Sequence, residues 1–124
     1  MENFDLVMGI HSIISALKNE GRTIYKLVGT EDALDEIRKQ IDISNFSIQM
    51  VSSHKLQEEA KIYFKQLNLE YQRVPSGVFC LCSELQVLTP NELYKAVEAK
   101  DNLKILCLDQ VTDVHNAGAI LRTA

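Results

Sequence analysis

The densest group of chemically capable side chains in this 124-residue sequence lies near its C-terminal end, in LDQVTDVHNAGAILRTA. Asp113, His115 and Asn116 are short polar groups set in a turn. Ala117, Gly118 and Ala119 follow, small enough for another backbone or a nucleotide to approach closely. Arg122 stands four residues after Gly118, which on a helix puts both on one face. The apolar run LKILCLDQV precedes the turn, so the pattern reads as strand, turn and helix. Open α/β sheets bind ligands at the carboxyl ends of their strands, and free N–H groups at a helix start attract anions. A plainer reading uses the same residues: Asn116 caps the helix, Gly118 packs against a strand, and Arg122 is a solvated charge. There is no glycine-rich phosphate loop and no nucleophile–base pair, so spacing alone does not specify a reaction.

The elements that must position this motif can be followed from the N-terminus. Ile10, Ile13, Ile14 and Leu17 recur at helical spacing, and Asn19-Glu20-Gly21 reads as a stop, with Gly21 taking a left-handed conformation. TIYKLVG, at 23–29, predicts a short buried strand. Thr30 is suited to cap the next helix, Glu31 and Asp32 to its positive end, and Leu34, Ile37 and Ile41 to its buried face. FSIQMV alternates as a strand does, and Ser52 or Ser53 then starts a helix with Leu56, Ala60, Tyr63, Phe64 and Leu67 on one side. NLEYQRVPSG is a loop, and VFCLC is a buried strand. Thr89-Pro90-Asn91-Glu92 fits a capping box, opening a helix with Leu93, Ala96 and Val97 on its apolar face.

After the polar break Lys100-Asp101-Asn102, LKILCLDQV is the most continuously apolar run, of the kind found in strands covered on both faces. The expected order is α-β-α-β-α-β-α-β-α, an α/β layered fold with a boundary near Lys100. One strand and one helix cannot bury their own apolar surface, so the final segment reads as the opening of a second domain that the chain enters and leaves unfinished.

Composition narrows the function classes. The net charge of −4 disfavours a protein that grips nucleic acid by bulk electrostatics, so any such role must rest on a local patch or on shape. No apolar run is long enough to span a bilayer, and MENFDLVMGIHS lacks the form of a secretion signal, which makes the cytoplasm the expected location. Cys80, Cys82 and Cys107 show no ligand spacing with His11, His54 or His115. They are expected to be reduced, buried thiols, and no metal is called for.

The terminal stretch closely resembles the first conserved motif of the SpoU/TrmH family of RNA 2′-O-ribose methyltransferases, within the SPOUT superfamily. Leu108, Asp109, Val111, Asp113, Asn116, Gly118, Ala119, Ile120, Arg122, Thr123 and Ala124 meet the motif, and Val114 stands where the family usually has proline. GIHSIISAL, at 9–17, is similar to the opening of the substrate-binding domain that precedes the catalytic domain in many members. Relatives often carry His-Gln before the glycine of the later loop, whereas this chain has Pro75-Ser76 before Gly77.

The resemblance implies an RNA substrate-binding domain over 1–100, a layered α/β/α fold like that of a ribosomal RNA-binding protein. It implies that 101–124 begin a trefoil-knotted SPOUT methyltransferase domain whose later motifs are absent here. S-adenosylmethionine is the implied cofactor, its pocket lying in the absent part, and RNA (rRNA or tRNA) is the implied partner. The parent protein is expected to be a homodimer through that domain, without a membrane, and the 124-residue chain alone is expected to be inactive. Asn116 and Arg122 are the implied catalytic residues: Asn116 orients, and Arg122 activates or stabilises the ribose oxygen. For RNA contact, the basic residues near the first helix and strand, Lys18, Arg22 and Lys26, form a candidate patch with His11. Two alternatives stay open. One is a non-catalytic RNA-binding module of the same fold; the other is a small α/β interaction domain with no RNA role.

Overall fold

The computed structural model describes residues 3–124, which divide into two compact units, one ending at Gln86 and the other spanning Val87–Ala124. The first unit is built on a mixed four-stranded sheet with strand order β1-β4-β2-β3. Its strands are β1 (Asp5–Met8), β2 (Ile24–Gly29), β3 (Ile48–Met50) and β4 (Val78–Cys82). Its helices are α1 (Ile10–Lys18), α2 (Glu31–Arg38) and α3 (Ser53–Gln66). β2 and β3 run parallel, whereas β4 is antiparallel to both β1 and β2.

Strand β4 shows why the unit is layered. Its side chains alternate between two cores: Val78, Cys80 and Cys82 join the one beneath α1 and α2, while Phe79 and Leu81 join the one beneath α3. All five residues are buried, so an unbroken apolar run marks a strand covered on both faces. Ile13, Ile14, Leu17, Leu34 and Ile37 fill the first core; Leu56, Ala60 and Phe64 fill the second. β2 carries a bulge between Ile24 and Lys26, which lets Ile24 and Leu27, three residues apart, face the same core. The side chains of Thr30 and Ser52 cap α2 and α3, accepting from Ala33 N–H and Lys55 N–H respectively.

Three local expectations are corrected. β1 precedes the first helix where no strand was read, because DLVM is too short to declare a period; its edge position is fixed by pairing with β4. Gly21 does not adopt a left-handed conformation; the Asn19 side chain accepts from Gly21 N–H at 2.9 Å and ends α1 instead. The run LKILCLDQV, at 103–111, forms no strand. A strand needs a neighbour for its backbone N–H and C=O groups, and no described residue pairs with this run.

The second unit holds α4 (Pro90–Glu98) and α5 (Val114–Thr123). Half of the expected capping box forms: Glu92 N–H donates to Thr89 Oγ1, while Glu92 Oε1 accepts from the Thr89 hydroxyl instead of the Thr89 backbone N–H. Neither helix has a buried residue. Ile105 is 63% exposed and Leu121 62%, so the apolar side chains of this unit are not gathered into a core. Among the described residues no helix is long and apolar enough to cross a membrane.

Candidate nucleic-acid interface

In the first unit, two chain reversals meet at one end of the sheet. β1 stops at Met8, and Gly9, at φ 88°, turns the chain into α1. No side chain caps that helix start, so its first N–H groups face outward unbound by a cap. The second reversal is the Pro75–Gly77 turn that leads into β4. Ser76 (φ 60°) and Gly77 (φ 70°) both take left-handed conformations there. A Cβ on Gly77 would lie 2.9 Å from Thr30 Oγ1, and the Gly77 carbonyl accepts from Thr30 N–H at 2.9 Å. Glycine is thus required by both φ and space.

Between these reversals runs a groove of about 400 Å³, lined by Gly9, His11, Ser12, Glu36, Gln40 and Ser76, with Ile10 at its base. Its groups are backbone N–H, imidazole, hydroxyl and amide, which suit phosphate and sugar oxygens. Glu36 brings a negative charge, partly answered by Lys39 Nζ at 3.3 Å. Of these residues sequence reasoning singled out His11; it noted Pro75-Ser76 as a departure from relatives and not as a site, and it missed Glu36 and Gln40, which sit on and just after α2 and carried no local signal.

The four predicted RNA-contacting residues are not all brought together. His11 and Lys18 are both exposed and seven residues apart on α1, which is two helical turns. They share one stripe, roughly 10 Å apart along the axis. Arg22 has a different job. Its Nη1 donates to Asp5 Oδ2 (3.0 Å), Cys82 Sγ (2.8 Å) and the Ser83 carbonyl (3.3 Å), and its side chain is only 12% exposed. It ties the ends of β1, β2 and β4 together. Burial works against its charge, yet the Cys82 and Asp5 contacts outweigh that and hold its pKa above the ordinary value. Lys26 is paired in register with Leu81, whose side chain belongs to the core under α3. It therefore projects from the sheet face opposite α1.

Cys80 and Cys82 are free and buried as expected, and burial first of all pushes the Cys80 thiol up to about 12. Cys107 is exposed, contrary to expectation, because the run that carries it has no covering layer.

In the second unit, Asp113 caps α5: its Oδ1 accepts from His115 N–H at 2.8 Å. Asn116 is thereby free of the capping duty and lines an open depression with Gln110, Asp113, Ala119 and Ile120. Arg122 lies six residues further along the same helix and is exposed. Six residues turn a helix by about 240°, so the two side chains leave it about 120° apart and do not converge. Gly118 and Arg122 do share a face, with open space around Gly118.

Several curated proteins are similar to this chain. The 23S rRNA (guanosine-2′-O-)-methyltransferase RlmB of Acinetobacter baylyi is 32% identical over 120 residues, covering 94% of this chain and 44% of that protein. RlmB of Shewanella oneidensis is 30% identical over 128 residues, covering 100% of this chain and 48% of that protein. The putative TrmH family tRNA/rRNA methyltransferase YacO of Bacillus subtilis is 29% identical, covering 99% and 47%. The chain thus spans less than half the length of these relatives. No family model matches it. No solved structure matches it either.

Proposed function

This chain belongs to the SpoU/TrmH family of RNA methyltransferases, and from that premise we propose that its first unit binds the RNA on which a longer parent enzyme methylates a ribose 2′-hydroxyl. The observation that carries this reading is the groove where the open start of α1 meets the Pro75–Gly77 turn. RNA is held there through phosphate and sugar oxygens by the N–H groups, His11 and Ser76. Lys18 adds a charge further along the same helix face. A built recess of this kind answers the difficulty of an acidic chain: contact is local and geometric, not a bulk attraction.

The residues from about 101 onward are, on this proposal, the front edge of the methyltransferase domain. The ribosomal-protein-like fold of the preceding part, its limit near residue 100, the trefoil knot and the homodimer belong to the same proposal, as does a cytoplasmic location. The methyl donor is proposed to be S-adenosylmethionine. Two depressions of the second unit, one at Asn116 and one at Thr123, are open and do not enclose a ligand, so their lining residues do not fit it. What Asn116 and Arg122 would contribute is positional and electrostatic. Asn116 orients the ribose by hydrogen bonds. The Arg122 guanidinium stabilises negative charge developing on the 2′-oxygen or grips a neighbouring phosphate.

A second reading has one observation in its favour. Asn116 and Arg122 diverge on an exposed helix, which suits a non-catalytic RNA-binding module. Two titrations test what the readings share, and a methylation assay separates them. The 124-residue chain should bind a fluorescent RNA hairpin with an unpaired loop, with affinity falling as salt rises. His11→Ala should weaken it about tenfold, and Lys18→Glu should lower the salt slope by about one. Calorimetry with S-adenosylmethionine should show no heat for this chain. Micromolar binding of the donor by these residues alone would refute the proposed inactivity; methylation by a longer parent, lost in its Arg122→Ala form, would eliminate the non-catalytic reading.

A further inference from the structure

The RNA-facing groove occupies one end of the first unit, but the sheet has another unused feature. Among the described residues β1 pairs only with β4, so its outer edge carries unpaired backbone N–H and C=O groups. This edge is not bare surface. It forms one wall of a groove of about 560 Å³, with Leu6 on the strand and Phe64, Leu67, Leu69 and Glu70 on the far wall. Glu84, just past the end of β4, stands at one end.

The far wall is fixed in place. Asn68 takes a left-handed φ of 56° that closes the end of α3, and Leu69 N–H donates to the Phe64 carbonyl at 2.9 Å. Further along, Gln57 holds Val74 by both of its backbone groups: Gln57 Nε2 donates to the Val74 carbonyl (3.2 Å) and Gln57 Oε1 accepts from Val74 N–H (3.0 Å). The segment between is thus clamped at both ends, and the groove exists before anything enters it. Leu69 is 56% exposed, an apolar side chain held open toward the strand edge.

Charge selects the occupant. No lysine or arginine lines the groove, while Asp5, Glu70 and Glu84 do. Asp5 is neutralised by Arg22 at 3.0 Å. Glu70 and Glu84 are exposed and in no ion pair among the described residues. A nucleic acid is repelled by this surface, and a second copy would set the same two carboxylates against themselves. We propose that the β1 edge is a docking site for a basic, extended segment of a partner protein, which adds as a strand beside β1. Its backbone hydrogen-bonds to the four-residue edge, alternate apolar side chains rest on Leu67 and Leu69, and lysines or arginines meet Glu70 and Glu84.

The test uses the full 124-residue chain and a fluorescein-labelled peptide of about nine residues alternating lysine with valine. Anisotropy should show saturable binding, and amide shifts should change at Asp5–Met8 and around Leu69. The double variant Glu70→Lys with Glu84→Lys should weaken binding at least tenfold, and a glutamate–valine peptide should bind that variant but not the wild type. A lysine–valine peptide N-methylated at alternate residues keeps its charge and loses its strand-pairing groups, so it should bind at least tenfold more weakly. Equal binding of the methylated peptide, shifts confined to other surfaces, or no binding at all would overturn the proposal. So would sedimentation showing that two copies of the chain occupy each other's β1 edge.

Discussion

VFCLC, at Val78–Cys82, and LKILCL, at 103–108, are close in composition, each apolar and each carrying cysteine. The first is the inner strand of a sheet with helices on both faces, and every one of its side chains is buried. The second forms no strand, and every one of its residues is exposed. Hydrophobic pattern states what a segment requires of its surroundings, and only the neighbours decide whether the requirement is met. In the first unit, β1 and β2 flank β4 and two layers of helix cover it. In the second unit, α4 and α5 are capped by Thr89 and Asp113, and neither buries a residue, so local hydrogen bonding is the stabilisation on view. The two units thus represent tertiary and local stabilisation within one chain.

The largest expected contrast is in thiol reactivity. Cys107 should react with an alkylating reagent at least about a hundredfold faster than Cys80 or Cys82, which must wait for unfolding. Mass spectrometry of peptides from a timed quench reads this directly. Because the Cys80 pKa is raised from 9.0 to about 12, the folded state holds the neutral thiol while the unfolded chain ionises. This group's contribution is therefore intact below pH 9 and declines as pH rises toward 12.

Core truncation should sharpen the contrast next. Phe79 is fully buried, so Phe79→Ala should cost the first unit roughly 3–5 kcal/mol in urea denaturation. Leu106→Ala, at an exposed position of the second unit, should change stability by no more than about 0.5 kcal/mol. A comparable loss from both would mean that 103–108 is buried against something. Gly77→Ala should be intermediate, costing about 1–3 kcal/mol, since it forces a side chain into a left-handed φ and against Thr30. It should also weaken RNA binding, because the turn that carries Ser76 shifts. Thr89→Ala is expected to cost about 1 kcal/mol, confined to local helix stability. It should lower helical circular dichroism without moving the urea midpoint of the first unit.

Much of this architecture could be read from residue patterns. The helical stripes of α1, α2 and α3 and the caps at Thr30, Ser52 and Thr89 are local, and local signals survive into the structure. β1 was not legible, because four residues give too little alternation and their place depends on β4, more than seventy residues away. The strand expected at 103–111 failed for the complementary reason: its pattern is strong, and no described residue pairs with it. Of the candidate site, His11 was visible, whereas Pro75-Ser76 read as a departure from relatives, and only the fold brings that turn to His11 in one groove. Arg22 misled because a basic residue beside a helix end looks solvated in sequence. Its three acceptors come from Asp5, Cys82 and Ser83, distant in the chain.

The account turns on the division of labour between the two units, with RNA held by the first. Amide chemical-shift mapping of the 124-residue chain during titration with an RNA hairpin measures it most directly. The expected result is a set of shifts at residues 9–12, Ser76 and Lys18, with α4 and α5 unmoved. Shifts concentrated in Val87–Ala124, or none at residues 9–12, would contradict it.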